Sequence, residues 1–229
     1  LRLLAKKRVP RAVFDYADGA AEYKTTKENN RNAFKKWKFI PDVLIDVSEV
    51  DTQTKVLGTD MPYPFALGPT AISYLFHHSG EPAVARAASN RNFPSTLSSI
   101  ASTNIEDYAK SSNGSVWFQM YVWKNREISH DFIKRCKESN YKAIMLTVDV
   151  PVGGKRERDL RSGMTVPPKL TIASIIDAAF HPSWWWNFIF GPKIGFANVK
   201  ERFTGKKQKL NNIMTYMNQQ FDPSVTWDE

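Results

Sequence analysis

The fold of this chain is decided by two apolar stretches, VWFQMYV at residues 116–122 and AIMLTV at residues 143–148. Both are predicted to be strands, and the second is a nearly continuous apolar run, which is typical of a β-strand covered on both faces. Between them lies a helical pattern that carries Phe132, Ile133 and Cys136, and we expect Ser129 to cap that helix. Because a helix-length connection of this kind joins parallel strands, the two strands are predicted to run parallel.

The same alternation of strands and helices extends towards the N-terminus. Pro64–Gly68 is predicted to be a buried strand and Ser95–Ser98 a weaker one. Helices are predicted over Glu81–Asn90 and after Asn104, whose side chain suits an N-cap with Asp107 three residues on. Four such strands fit half of a (β/α)8 barrel or a doubly wound parallel sheet. A whole barrel takes about 250 residues, so the barrel interpretation predicts an unfinished one here.

Polar residues stand at the end of each predicted strand. The carboxyl ends of parallel strands meet at one edge of a sheet, where α/β proteins place their sites. Amide and hydroxyl groups are neutral and suit a flat heterocycle with carbonyl and imide edges. No Walker A or Gly-x-Gly-x-x-Gly phosphate motif is present. These strand-end residues are Gly68–Thr70, Ser98–Ser99, Gln119, Tyr121, Thr147 and Asp149.

Composition excludes several classes of protein. The chain has 229 residues, 42% of them hydrophobic, and a net charge of +9, so it is globular rather than low-complexity. A single cysteine excludes a disulfide scaffold, and Cys136 is interpreted as a small buried hydrophobe. The four histidines lack zinc-ligand spacing, so no metal site is expected. The basic residues show no nucleic-acid motif, which leaves a solvated surface or an anionic membrane surface as alternatives.

Six motifs together resemble the FMN-dependent L-2-hydroxyacid dehydrogenases and oxidases, a family that includes membrane-associated L-lactate and (S)-mandelate dehydrogenases. They keep the family's order along almost the whole chain. The closing segment, residues 221–227, resembles the stretch before the family's fifth barrel strand. The six motifs are FDYADGA at 14–20, GPTA at 68–71, LSS at 97–99, WFQMYV at 117–122, TVDVP at 147–151 and RERD at 156–159.

The resemblance implies the N-terminal segment and about the first four strands of a (β/α)8 TIM barrel that binds FMN. It implies three substrate-binding side chains, namely Tyr16, Arg156 and Tyr121, of which Tyr121 is also catalytic. It further implies that six residues contact the flavin. These are Pro69, Thr70 and Ala71 through the backbone, and Ser98, Gln119 and Thr147 through hydrogen bonds to the ring.

The implied reaction is oxidation of an L-2-hydroxyacid to the 2-oxoacid, with the hydride accepted by flavin N5 and the electrons passed to a membrane quinone. The family's catalytic histidine lies on a later strand, and none of the histidines here matches its motif. From the residues alone, two alternatives remain open: Tyr16 could be a core tyrosine, and Arg156 could be a solvated charge on a loop. Ile100 stands where several family members carry tryptophan, which leaves room for a larger substrate group.

The segment at residues 167–196 fits no barrel strand and contains three consecutive tryptophans, Trp184–Trp186. Asp177, His181 and Pro182 interrupt its apolar run, which argues against a membrane span. Aromatic and basic residues favour the membrane interface instead. With the basic flank, residues 177–209 are expected to hold the protein peripherally on the cytoplasmic side of the inner membrane. The alternative is an oligomer contact or an active-site lid.

We therefore expect one FMN-binding barrel domain of which residues 1–229 are the N-terminal part. Residues 1–60 form helices and an approach segment, residues 61–160 the strands and helices, and residues 161–215 a membrane insert. Chain ends that do not look like natural boundaries suggest a longer polypeptide, and a homo-oligomer is implied by the resemblance. A noncatalytic half-barrel that serves as a binding module is the alternative function.

Overall fold

The computed structural model of the chain describes residues 1–149, 154–164, 171–199 and 219–226. Short 3-10 turns occur at Phe34–Lys36 and Ser73–Leu75. The helices are α1 (Arg2–Arg8), α2 (Arg11–Asp18), α3 (Thr25–Ala33), α4 (Gly80–Ser89), α5 (Ile105–Lys110), α6 (Arg126–Glu138), α7 (Glu157–Ser162), α8 (Ile172–Ala179) and α9 (Pro182–Phe190). The strands are β1 (Thr54–Val56), β2 (Thr59–Met61), β3 (Ser95–Ser98), β4 (Val116–Tyr121) and β5 (Ala143–Thr147).

The central sheet is parallel, as the sequence predicts, and its strand order is β3-β4-β5. Ser98 pairs with Gln119, and Tyr121 pairs with Thr147, so the polar ends of neighbouring strands lie side by side. Strands β1 and β2 form a separate antiparallel hairpin. The parallel register therefore brings the predicted strand-end residues to one edge.

The prediction that Pro64–Gly68 forms a buried strand is wrong. Only Leu67 joins the sheet, through a single parallel bridge to Ser95, and residues 63–68 are exposed. Pro64 has no N–H to donate to a ladder. Among the described residues, no strand pairs with the other side of this segment, so the apolar residues lack the partners that burial requires.

Helices α4, α5 and α6 pack on one side of the sheet and enclose the core. Phe118 and Phe132 meet edge to face with their ring centroids 5.5 Å apart, and both are fully buried. Asn104 caps α5 by accepting a hydrogen bond from the Asp107 N–H, as predicted. Cys136 is a buried hydrophobe, also as predicted, and burial raises the pKa of its thiol to about 12.

Two predictions about this region are wrong. Helix α6 begins at Arg126 and is capped by Asn125, whose side chain accepts from the Glu127 N–H, so Ser129 lies inside the helix. Strand β5 is not covered on both faces, because Ile144, Met145 and Leu146 are each about two-fifths exposed. Within the described residues, β5 is an edge strand with no element packed over its outer side.

Helices α8 and α9 form a helical hairpin after α7, and residues 171–196, the described part of the segment predicted to fit no strand, contain none. Trp184 turns inwards, and its indole N–H donates to the Leu75 carbonyl oxygen at 2.8 Å. Trp186, Ile189 and Phe190 lie mostly in solvent. Of the Trp184–Trp186 run that is predicted to contact a membrane, Trp184 is thus part-buried and held by the protein itself. None of the helices in the described ranges is both long and apolar enough to cross a bilayer.

Buried Glu81 ties the loops of the sheet together. Its carboxylate accepts from the Ser73 N–H at 2.9 Å, the Ser102 N–H at 3.1 Å and the Thr103 hydroxyl at 3.0 Å. Ser73 lies in the loop after the Leu67 bridge, and Ser102 and Thr103 lie in the loop after β3. One side chain on α4 therefore fixes two loops next to the polar edge of the sheet.

Replacing Glu81 by alanine is expected to lower the free energy of unfolding by about 3 kcal/mol, because two backbone N–H groups lose their acceptor. Denaturant unfolding followed by circular dichroism measures the change. Glu138→Ala is the control, since that carboxylate is mostly exposed and 3.9 Å from Lys134; its effect should stay below about 1 kcal/mol. Equal effects of the two variants would contradict the assigned role of Glu81.

Candidate functional site

A cavity of about 450 Å³ lies at the carboxyl ends of β3, β4 and β5. Its size is within the usual range for small-ligand sites. Ile100 and Asp149 contribute to its wall. The cavity also brings together six residues predicted from the sequence to contact flavin or substrate: Pro69, Ala71, Ser98, Gln119, Tyr121 and Thr147.

A chain of hydrogen bonds crosses the three strands along the floor of this cavity. The Ser98 hydroxyl donates to Gln119 Oε1 at 2.8 Å, and Gln119 Nε2 donates to Thr147 Oγ1 at 2.5 Å. Ser98 and Gln119 are buried, with exposed fractions of 4% each. Because each strand contributes one member of the chain, the register of the sheet fixes the amide of Gln119.

The direction of these bonds determines what the cavity offers to a ligand. Thr147 accepts from Gln119, which leaves its own hydroxyl proton available to donate. Gln119 retains a second N–H, because only one is needed for the bond to Thr147. The Ser98 oxygen already accepts from the Ile100 N–H at 3.3 Å. The free donors therefore suit acceptor atoms on the edge of a flat heterocycle, and this donor set fits the flavin ring that the sequence predicts.

Tyr121 closes one end of the cavity and is half-buried. Burial, followed by the charge of Asp149 and the neighbouring Tyr16, raises the pKa of its phenol. Phe221 packs edge-on against its ring, with centroids 5.5 Å apart. Backbone pairing of Phe221 with Trp123 holds this contact. The sequence gives no sign of this contact of Phe221, because its partners Tyr121 and Trp123 are distant in sequence and belong to another element.

Tyr16 and Arg156 lie outside the lining of this cavity but contact each other. The Arg156 guanidinium carbon lies 4.9 Å from the centre of the Tyr16 ring, and Arg156 Nη2 donates to the Tyr16 carbonyl oxygen. Arg156 Nε donates to Asp159 Oδ2 at 2.5 Å. Arg156 is thus a packed, paired group, in contrast to the solvated loop charge that the sequence leaves open. Tyr16 is partly buried, and burial is the main cause of its raised pKa.

Gly19 and Asp159 complete this second cluster, and sequence reasoning does not single out either. A Cβ on Gly19 would lie 2.6 Å from the Asp15 carbonyl oxygen and 3.1 Å from Arg156 Nη2, so only glycine fits there. Asp159 is buried and follows Arg156 by three residues. That spacing places both side chains on one face at the start of α7 and is the signal that could have identified Asp159.

Thr70 is the one predicted flavin contact that does not line the cavity. It is exposed, and its hydroxyl lies 3.2 Å from that of Ser73. Pro69 and Ala71, on either side of it, do line the cavity. The backbone of this segment therefore passes along the wall while the Thr70 side chain points elsewhere.

The family described as FMN-dependent dehydrogenase matches residues 5–229 of this chain. The (S)-mandelate dehydrogenase of Pseudomonas putida is 34% identical over 227 residues, which are 99% of this chain and 57% of that protein. The L-lactate dehydrogenase of Vibrio cholerae serotype O1 (strain M66-2) is 32% identical over 229 residues, which are 100% of this chain and 60% of that protein. The chain thus spans between half and two thirds of these relatives.

A crystal structure of the "monotopic membrane protein (S)-mandelate dehydrogenase" has the same fold, with a TM-score of 0.91 and 34% identity. The match covers 99% of this chain and 60% of that one. The described strands and helices are therefore the N-terminal part of a (β/α)8 barrel, which confirms the barrel alternative that the sequence analysis favoured over a doubly wound sheet.

We expect the contact between Arg156 and Tyr16 to hold α2 against α7. In the Arg156→Lys variant, the lysine side chain cannot bond to both the Tyr16 carbonyl and Asp159, because an ammonium lacks the planar fork of a guanidinium. Amide hydrogens of residues 11–18 should exchange about tenfold faster, equivalent to about 1.4 kcal/mol of lost local stability. Hydrogen–deuterium exchange by mass spectrometry measures this.

Arg161→Lys is the matched control for this measurement. Arg161 lies on the same helix, is mostly exposed and pairs with Glu157, 3.2 Å away. In Arg161→Lys, we expect the amide hydrogens of residues 11–18 to exchange at the wild-type rate. If Arg156→Lys also leaves residues 11–18 unchanged, the contact does not hold the two helices together.

Proposed function

Since the chain belongs to the FMN-dependent dehydrogenase family, we propose that the full-length protein binds FMN and oxidises an L-2-hydroxyacid of the lactate or mandelate type to the 2-oxoacid. The observation that carries this proposal is the hydrogen-bond chain from Ser98 through Gln119 to Thr147 at the strand ends. When bound, FMN supplies the acceptor for the hydride that leaves the substrate Cα.

The residues that would hold the flavin are those of the first cavity. Gln119 and Thr147 have N–H and O–H groups free to donate to the ring, and Ser98 keeps the Gln119 amide in one orientation. Pro69 and Ala71 also line this cavity, and we propose that their backbone passes along the ring. Because these groups are fixed by strand pairing before any ligand arrives, they require little rearrangement to bind a planar ring.

Tyr16, Arg156 and Tyr121 are proposed to bind the substrate. A carboxylate is recognised by a guanidinium and by neutral phenol donors. Burial favours the protonated phenol at Tyr16 and at Tyr121, so both hydroxyls are donors at neutral pH. Tyr121 lines the flavin cavity, and its position next to Tyr16 supports a substrate placed between the two phenols.

The proton on the substrate hydroxyl requires a base that we do not assign in this chain. His130 is exposed on α6, His77 and His78 lie beside α9, and His181 is the residue before α9, so none of them lines the strand-end cavity. We therefore expect the 229 residues alone to be inactive, and the electrons of the full-length protein to pass to a membrane quinone. A noncatalytic binding module is the alternative, and the presence or absence of turnover distinguishes the two.

The exposed side of the α8–α9 hairpin supports attachment to a membrane surface. Trp186, Ile189 and Phe190 are 57%, 62% and 67% exposed, and Phe180 is 79% exposed. Aromatic and aliphatic side chains of this kind insert at the headgroup level. Most of the lysines predicted to assist, at residues 200–209, lie outside the described residues. We propose peripheral attachment on the cytoplasmic side, and an oligomer contact is the competing use of this face.

The flavin proposal predicts a bound yellow chromophore in the full-length protein that is bleached anaerobically by L-lactate or (S)-mandelate. Thr147→Val should weaken FMN affinity about tenfold, because a hydrogen bond is worth about 1 kcal/mol or somewhat more. Fluorescence titration of free FMN measures the affinity. Thr26→Val, an exposed change on α3, should leave it unchanged. A flavin-free full-length protein, or one whose flavin neither substrate bleaches, would contradict the proposal.

The membrane proposal predicts that the triple variant Trp186→Ser, Ile189→Ser and Phe190→Ser no longer sediments with anionic phosphatidylglycerol vesicles. Each large apolar side chain contributes about 1.5–3 kcal/mol when buried. The control changes three residues of the same types that are even more exposed, Trp37, Phe39 and Ile40, to serine and should still bind. If the first variant sediments like the wild type, the hairpin is not the membrane contact.

A further inference from the structure

A second cavity, of about 350 Å³, lies between α9 and the loop that follows the Leu67 bridge. It is separate from the strand-end cavity and shares none of its lining residues. Six of its nine lining residues carry rings. These are Tyr74, Phe76, His77, His78, Trp184 and Phe188.

The rings around this second cavity are held in fixed positions. Trp184 is anchored by its hydrogen bond to the Leu75 carbonyl oxygen and stacks on Phe188, with centroids 4.9 Å apart and planes 26° apart. His77 and His78 stack on each other, with centroids 4.4 Å apart. Flat ring faces of this kind favour a planar ring ligand. The cavity therefore does not have to be rebuilt when such a ring enters.

Several polar groups in the lining can donate hydrogen bonds. Arg8, the imidazoles of His77 and His78, the Ser183 hydroxyl and the Asn187 amide can all donate hydrogen bonds. The lining contains no carboxylate. A ring with acceptor oxygens at its edge is complementary to this set, whereas a cationic ring is not.

The cavity lies between the apolar face of the hairpin and the first site. Trp184 and Phe188 face the cavity, whereas Trp186 and Phe190 lie on the opposite side of α9 and pack on each other, with centroids 4.5 Å apart. On its inner side, Phe76 stacks on Tyr16, with centroids 6.4 Å apart and planes 18° apart. One stacked pair of rings, Phe76 in the cavity lining and Tyr16 at the proposed substrate position, therefore connects the two places.

We propose that this second cavity binds the head group of a quinone, which serves as the electron acceptor of the reaction. The inference rests on the proposed function. Oxidation of a hydroxyacid to the oxoacid releases two electrons and two protons, and reduction of a quinone to its hydroquinone takes up two of each, so the overall reaction balances. A quinone carries two carbonyl acceptors on a planar ring and resides in the membrane, next to which the hairpin is proposed to lie.

Binding is tested without turnover, by isothermal titration of the oxidised full-length protein with 2,3-dimethoxy-5-methyl-1,4-benzoquinone. Ser183→Phe places a bulky ring in the cavity and should weaken binding at least tenfold. His78→Leu removes a donor and should weaken it several-fold. His130→Leu, an exposed histidine on α6, should bind as the wild type does. Covalent addition to Cys136 is not expected because the thiol is buried, and intact mass after titration checks this.

Turnover with a hydrophilic dye separates this inference from the proposed function. Ser183→Phe and His78→Leu should keep dye-coupled turnover within twofold of the wild type and lose quinone-coupled turnover. If Ser183→Phe binds the quinone as tightly as the wild type does, the assignment of the site is wrong. It is also wrong if the wild type binds benzoate as tightly as the quinone, because the cavity would then be a site for carboxylic acids. Absence of wild-type dye turnover would instead refute the proposed function, with the titration still deciding whether the cavity binds quinone.

Discussion

Parallel pairing of β3, β4 and β5 is the constraint on which the site depends. In a parallel sheet all strands end at the same edge, and the register decides which side chains meet there. Here it sets Ser98 beside Gln119 and brings Thr147 within reach of the same amide. A slip of one residue in β4 would turn Gln119 to the other face and leave Ser98 without its partner. The register that stabilises the sheet therefore also orients the donors of the proposed flavin site.

Buried polar contacts then fix the loops around this edge. Glu81 holds the loops after the Leu67 bridge and after β3, and Asp159 holds Arg156 against Tyr16. Such groups are costly to bury unless each finds a partner, so they restrict the loops to few arrangements. Gly19 permits the close approach of Arg156 because a side chain there would collide with it. Two separate anchors thus position the flavin wall and the proposed carboxylate-binding residues.

Much of the fold and the strand-end site could be predicted because the signals are local. An apolar run with polar residues near its end predicts both a strand and the edge at which those residues meet, as for Gln119 and Thr147. The exposure of Pro64–Gly68 could not be predicted, because it depends on neighbouring elements about which the apolar pattern of this segment carries no information. Asn125 and Ser129 are both suitable caps, and only the packing of α6 chooses between them. The inward turn of Trp184 and the contact of Phe221 with Tyr121 depend on tertiary partners.

The central claim is that the cavity between Pro69 and Thr147 holds the flavin ring. A crystal structure of the full-length protein grown in the presence of FMN tests it most directly. The account predicts electron density for a planar ring within hydrogen-bonding distance of Gln119 Nε2 and Thr147 Oγ1, with the Ser98 hydroxyl still bonded to Gln119 Oε1. Ring density elsewhere in the protein, with this cavity filled only by water, would contradict the account.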